Sequence, residues 1–179
     1  MLSGSSFDVS DFYYNDKLKR RFTPEIDFIK ESNEIPILGL CFGHQLIAYS
    51  FGAQVCRMGY SRLSGSIIFI LLKKTDELIS KKNIPVNVHH LDFVSPNDMK
   101  IRENFEIVSI SRNMGYRIIQ YMRHLSKPVF SIQFHPETHD PYYFHPNLFD
   151  EKIAAKTRTI GEEIIENFIW RCIYEEDSQ

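Results

Sequence analysis

The sequence predicts a three-layer α/β domain, residues 1–179 as one unit, with a mainly parallel central sheet and a small antiparallel portion. Three observations carry this expectation. The apolar run Pro36-Ile37-Leu38-Gly39-Leu40 is of the kind buried on both faces of a parallel sheet, and a helix-like segment follows it directly. The chain also carries an amphipathic stretch from about 151 to 172. Between these two, β-branched and aromatic residues dominate without strict strand–helix alternation, which adds antiparallel pairing to a parallel core. No internal repeat, low-complexity tract or linker divides the 179 residues.

Taken in order, residues 3–16 are rich in Ser, Asp, Gly and Tyr and read as loop. A helix is expected from Thr23-Pro24-Glu25, where Thr can cap, Pro suits the first helical position and Glu favours the positive end. It should stop before Pro36. In Cys41–Gly52 the apolar residues at 42, 46, 49 and 51 suit one helix, and Gly52 is placed to end it. Strands are expected over 65–73, 85–90, 105–111, 116–123 and 128–134, with a turn at Asn113-Met114-Gly115. Ile153, Thr157, Ile160, Ile164 and Phe168 recur at helical spacing and define the buried face of the terminal helix.

Composition narrows the function classes. Apolar residues make up 43% and charged residues 25%, which is ordinary for a globular chain and excludes a disordered one. A formal net charge of −2 and a pI near 6.4 give no electrostatic reason to expect nucleic acid or an anionic membrane as partner. The longest aliphatic and aromatic run, Ile67–Leu72, is far too short to span a bilayer. The first residues lack the basic and apolar regions of a signal peptide. Cys41, Cys56 and Cys172 are too few and scattered for a disulfide framework. The expectation is a cytoplasmic protein.

The chemistry lies in Gly39-Leu40-Cys41-Phe42-Gly43-His44-Gln45. A reactive residue type stands between two glycines, at the end of a buried strand and the start of a helix. This is the layout of a nucleophile elbow, whose sharp turn has no room for side chains at the glycine positions. Cys41 then sits at a helix N-terminus, where partial positive charge favours a thiolate. The N–H of Phe42 points at whatever oxyanion forms. The bland alternative, a buried small hydrophobe, suits Cys56 and Cys172 better. A thiol nucleophile needs a base and a group to orient it. Phe134-His135-Pro136-Glu137, at the end of Val129–Phe134, offers His135 as base and Glu137 as its orienting carboxylate.

These segments resemble the class I (triad-type) glutamine amidotransferases, and within them the glutaminase component of GMP synthetase and its stand-alone relatives. The resemblance rests on Pro36–Ala48, on Val129–Glu137, on Val88-His89-His90-Leu91-Asp92-Phe93-Val94, and on Glu166-Asn167-Phe168. It implies a flavodoxin-like fold and a Cys41–His135–Glu137 triad that hydrolyses L-glutamine through a cysteinyl thioester. It further implies an oxyanion hole from the backbone of Phe42 and Ser5, a glutamine contact from Gln45, and backbone contacts to glutamine from His89, His90 and Leu91. No cofactor and no metal are implied. The chain has no Gly-rich phosphate loop with Lys, so an ATP-using synthetase subunit is the expected partner, with XMP to GMP amination as the leading reaction.

The sequence also departs from the family. A strand, a helix and a second strand ordinarily precede the Ser-Gly loop, whereas here Met1 stands almost directly on Ser3-Gly4-Ser5-Ser6. Either the native start lies elsewhere, or the sheet has an open edge that a homo-oligomer would cover. Ser5 and Ser6 replace the usual glycine and proline, and His89-His90-Leu91 replaces the usual Ser-His segment. Two alternatives stay open beside the amidotransferase: a stand-alone γ-glutamyl hydrolase and a non-catalytic interaction module. Lys17-Leu18-Lys19-Arg20-Arg21 reads as a solvated face, with an acidic or nucleotide partner as the other reading. Tyr142-Tyr143-Phe144-His145 reads as a capping or edge-packing loop, and no histidine falls into a zinc pattern.

Overall fold

The computed structural model describes residues 1–59, 66–113, 115–138 and 150–174; His139, the 142–145 segment and Met114 lie outside them. The frame is a four-stranded sheet in the order β1-β8-β7-β6, with β1 at Ile37–Leu40, β6 at Phe105–Asn113, β7 at Tyr116–His124 and β8 at Val129–Ile132. β1 and β8 run parallel in the register Leu38↔Phe130 and Leu40↔Ile132, and Leu2 adds a parallel bridge to Gly39. The β8–β7 and β7–β6 pairs are antiparallel. The sheet is therefore mixed, and the antiparallel share is the larger one among the described residues. Gly115, at φ 86°, supplies the tight β6–β7 turn that makes one of these pairs.

Both faces of the sheet are covered. On one side pack the 3-10 turn Val9–Tyr13, α2 (Thr23–Glu31), α3 (Phe42–Ser50) and α4 (Met99–Asn104). Phe12, Ile26, Ile29, Leu46, Ile47 and Ile101 there meet Ile37, Ile119, Met122 and Val129 of the sheet. On the other side lie the hairpin of β3 (Ser66–Leu71) and β4 (Asn83–Val88) and the long helix α5 (Glu151–Tyr174). Its Ile160, Ile164 and Phe168 pack with Leu38, Leu40, Phe130 and Ile132, and they belong to the spacing that predicts the helix. Each such side chain contributes about 1.5–3 kcal/mol by burial. A short ladder of β2 (Val55–Arg57) with β5 (Asp92–Val94) stands beside these layers.

Several local expectations change. The 3–16 stretch is not all loop, because Val9 and Phe12 are spaced to bury one face of the 3-10 turn. Phe22, not Thr23, caps α2, because α1 (Asp16–Arg21) runs straight into it; Pro24 keeps its place in the first turn. The basic run lies on α1, which has no buried residue. β4 ends at Val88, so His89 and His90 leave the ladder. β8 ends at Ile132; Gln133 N–H still donates to the Gln120 carbonyl of β7 at 3.0 Å, and Phe134 leads on to His135. Among the described residues no helix is long and apolar enough to cross a membrane.

Candidate active site

The elbow begins where β1 ends. Cys41 N–H still donates to the Ile132 carbonyl at 2.8 Å, extending the parallel ladder by one bond, and the next residue already opens α3. To turn that sharply Cys41 adopts φ 49° and ψ −98°, a left-handed conformation that costs a non-glycine residue about 1–3 kcal/mol. The flanking glycines explain what holds the strain. A Cβ on Gly39 would lie 2.4 Å from Ile47 Cδ1 and 2.7 Å from the Gly43 backbone. One on Gly43 would lie 2.3 Å from the Leu2 carbonyl oxygen. Strand, helix and Leu2 thus close on the elbow at distances only hydrogen can occupy. Phe42 N–H, the first of α3, has no intrahelical acceptor by its position.

His135 reaches the same place from β8. Its N–H donates to the Asn87 carbonyl at 2.8 Å, Phe134 before it is buried, and Pro136 after it packs on α5. Gly161 permits that packing, since a Cβ there would lie 2.1 Å from the Pro136 oxygen. The imidazole Nδ1 meets Glu137 Oε1 at 2.7 Å, and the Cys41 sulfur is its other side-chain hydrogen-bond partner. Burial disfavours the imidazolium, but hydrogen bonds and charge from Cys41 and Glu137 outweigh it and raise the His135 pKa to about 10. The ring is thus held in its charged form beside Cys41.

The segment after β4 forms the remaining wall. The His89 carbonyl lies 3.7 Å from Cys41 Sγ and 3.3 Å from His135 Nε2, between the two reacting groups. His90 is buried, its Nδ1 meeting the Asp92 carbonyl at 2.9 Å, and the Leu91 carbonyl accepts from Met58 N–H. Burial lowers the pKa of His90 to about 4 and that of His44, whose Nδ1 meets Ser131 Oγ, to about 3. Both stay neutral at physiological pH. Across from them Gly4 approaches His135, with a Cβ position 3.3 Å from the imidazole. That contact brings the Ser3-Gly4-Ser5 loop to the site; Ser5 Oγ accepts from Phe7 N–H.

Gln45 is buried in the first turn of α3. Its amide nitrogen is engaged by the Asp92 carbonyl at 2.8 Å and by Gln133 Oε1 at 3.3 Å, so the side chain braces the elbow from behind. Two further residues of the site carry no motif that singles them out: Gln133, whose Nε2 lies 3.7 Å from Cys41 Sγ, and Gly161. A glycine in mid-helix is the available signal for the second. Among the described residues no group of three His, Cys, Asp or Glu side chains could hold a metal ion. A groove of about 950 Å³ at the opposite ends of β1 and β8 includes Cys172 and Arg171, but Arg171 is paired with Glu77.

Residues 15–154 match the family model for glutamine amidotransferase class-I. The chain belongs to that family. Among curated proteins it is similar to a glutamine-hydrolyzing GMP synthase subunit of Methanocaldococcus jannaschii, 30% identical over 141 residues, covering 79% of this chain and 62% of that one. It is also similar to the carbamoyl phosphate synthase small chain of the same organism, 27% identical over 133 residues, covering 69% and 32%. The chain thus spans less than two thirds of the length of either relative. A solved glutamine amidotransferase from Thermotoga maritima superposes with a TM-score of 0.63 at 20% identity, covering 96% of this chain and 76% of that one, which shows the shared fold.

Proposed function

We propose that this class-I glutamine amidotransferase hydrolyses L-glutamine at Cys41 and delivers the ammonia to an ATP-using synthetase subunit. Cys41 sulfur attacks the side-chain amide carbon, forming a C–S bond while the carbonyl electrons move onto oxygen. The N–H groups of Phe42 and Ser5 receive that oxyanion. As the tetrahedral intermediate collapses, the C–N bond breaks and His135 gives its proton to the departing ammonia. Water, deprotonated by His135, then attacks the thioester and releases glutamate and the thiol. Glu137 keeps the imidazole turned toward Cys41 and stabilises its charged form. The His89 carbonyl is suited to accept from the α-ammonium group of glutamine, with the backbone of His90 and Leu91 flanking it.

The observation that carries this reading is the strained Cys41 beside the Glu137-supported His135. Amination of XMP to GMP is the synthetase reaction favoured by the likeness to the GMP synthase subunit. Incubation with an electrophilic glutamine analogue, followed by intact-mass measurement and peptide mapping, tests the glutaminase half. One adduct on Cys41, prevented by excess glutamine, is expected. No adduct, with Cys41 still open to a small thiol reagent, would replace this reading with a non-catalytic module.

A further inference from the structure

We propose that Gln133 is a positioning residue for the nucleophile: two buried side-chain amides, Gln45 and Gln133, are locked in the one order that turns an N–H onto the Cys41 sulfur. The lock starts from a group with no choice. The Asp92 backbone carbonyl can only accept, so Gln45 must present its NH₂ group there, at 2.8 Å. The same nitrogen lies 3.3 Å from Gln133, which must then present its oxygen. That leaves the Gln133 NH₂ group facing Cys41 Sγ at 3.7 Å, within reach of an N–H···S bond. Gln45, Gln133 and Asp92 are all buried, so water does not offer either amide an alternative partner. Asp92 is itself anchored, its two carboxylate oxygens taking the N–H and O–H of Ser10 at 2.7 and 2.9 Å.

The consequence concerns which form of Cys41 the protein favours. A neutral thiol is a weak acceptor and a thiolate a strong one, so a fixed donor stabilises the thiolate selectively. His135 supplies charge from one side, and Gln133 supplies a neutral donor from another. Gln133 thereby holds the sulfur as a competent leaving group during thioester hydrolysis. The inference rests on the reading of Cys41 as the nucleophile, but it does not require glutamine turnover.

The test is the rate of Cys41 alkylation by iodoacetamide as a function of pH, followed by peptide mapping to separate Cys56 and Cys172. Gln133→Met removes the donor at similar volume. Gln45→Glu disturbs the lock: an ionised carboxylate can only accept, so its oxygen between Asp92 and Gln133 takes the Gln133 NH₂ group and turns the Gln133 oxygen toward sulfur. Both variants should alkylate about tenfold more slowly at neutral pH and reach their plateau at higher pH, on the scale of a lost hydrogen bond to a charged group. Gln45→Glu should have no further effect once Gln133→Met is present, since nothing remains to turn. A merely structural role would change stability and leave the pH profile where it was. Superimposed profiles for the unsubstituted chain and folded Gln133→Met would overturn the inference. An ordinary free-thiol profile in the unsubstituted chain would overturn the reading of Cys41 as well, and so distinguishes the two failures.

Discussion

The two segments proposed to form the oxyanion site are built in opposite ways. The Cys41–Phe42 half belongs to the buried junction of β1 and α3, where two glycines admit backbone and side-chain atoms at distances no other residue allows. The Ser3–Ser6 half is exposed at every residue. It is tied to the sheet through Leu2, by Leu2 N–H to the Leu38 carbonyl and Leu40 N–H to the Leu2 carbonyl, each at 2.8 Å. On its far side Phe7 packs against Phe22 and under Arg21. The elbow is positioned by close packing, which resists displacement; the loop is positioned by a few hydrogen bonds, which exchange with water at little net cost. Nucleophile geometry should therefore be robust, and oxyanion binding by the loop should be where a perturbation or a partner acts on rate.

The largest expected effect is chemical and confined to the elbow. Cys41→Ser should lower glutamine hydrolysis by about 10⁶-fold, the scale of nucleophile deletion in hydrolases, with an unchanged urea midpoint. Full activity in that variant would sink the mechanism. Next, Ser5→Pro removes the loop's N–H and should lower kcat by about 10²–10³-fold. Ser5→Ala, which removes only the acceptor for Phe7 N–H, should stay within about 0.5 kcal/mol of the parent in stability and keep its rate. If the two substitutions behave alike, the backbone of Ser5 is not the donor. Gly43→Ala tests a close approach of the elbow to the residue that anchors the loop, since its Cβ would meet the Leu2 carbonyl at 2.3 Å. It should cost about 1–3 kcal/mol in urea unfolding, and amide exchange should quicken at Leu2 and Leu40 together.

The histidines sharpen the comparison through pH. His44 and His90 have folded pKa values of about 3 and about 4, below the ordinary 6.5, so the unfolded chain binds protons first as pH falls. Their contribution is present above 6.5 and is lost as pH drops through that window, by about 2 kcal/mol for each histidine at about pH 5 in urea titrations. His44→Asn should flatten this acid limb. His135 has the opposite sign: its folded value is raised to about 10, so its contribution is complete below 6.5 and is lost as pH rises through 10. Replacing Glu137 with Gln should bring that alkaline limb to lower pH; an unmoved limb would remove Glu137 from the triad.

Much of this site is legible in local sequence because sterics act over a few residues. Gly39-x-Cys41-x-Gly43 encodes a turn that leaves no room for two Cβ atoms, and His135-x-Glu137 brings two polar groups within reach across one proline. The 3-10 turn and α4 are absent from the sequence expectations, although the spacing of Val9 and Phe12 and the capping Asp98, whose carboxylate accepts from Lys100 and Ile101 N–H, are local signals for them. The three-residue strands β2 and β5 are not legible, because they are too short for a period to appear. The partners of the Gln45 amide nitrogen are hidden for a different reason: they come from the distant Asp92 and Gln133.

By itself, then, the sequence determined the α/β class, the elbow, the amphipathic face of α5 and which three side chains are proposed as the triad. Each depends on spacing within a dozen residues, where chain stereochemistry leaves few outcomes. Tertiary structure decided that the sheet is mixed, that Gln133 faces Cys41 across 92 residues of chain, and that the His89 carbonyl enters the site. Such pairings depend on strand register and loop closure between distant segments, and no local propensity encodes which partner a buried amide finds.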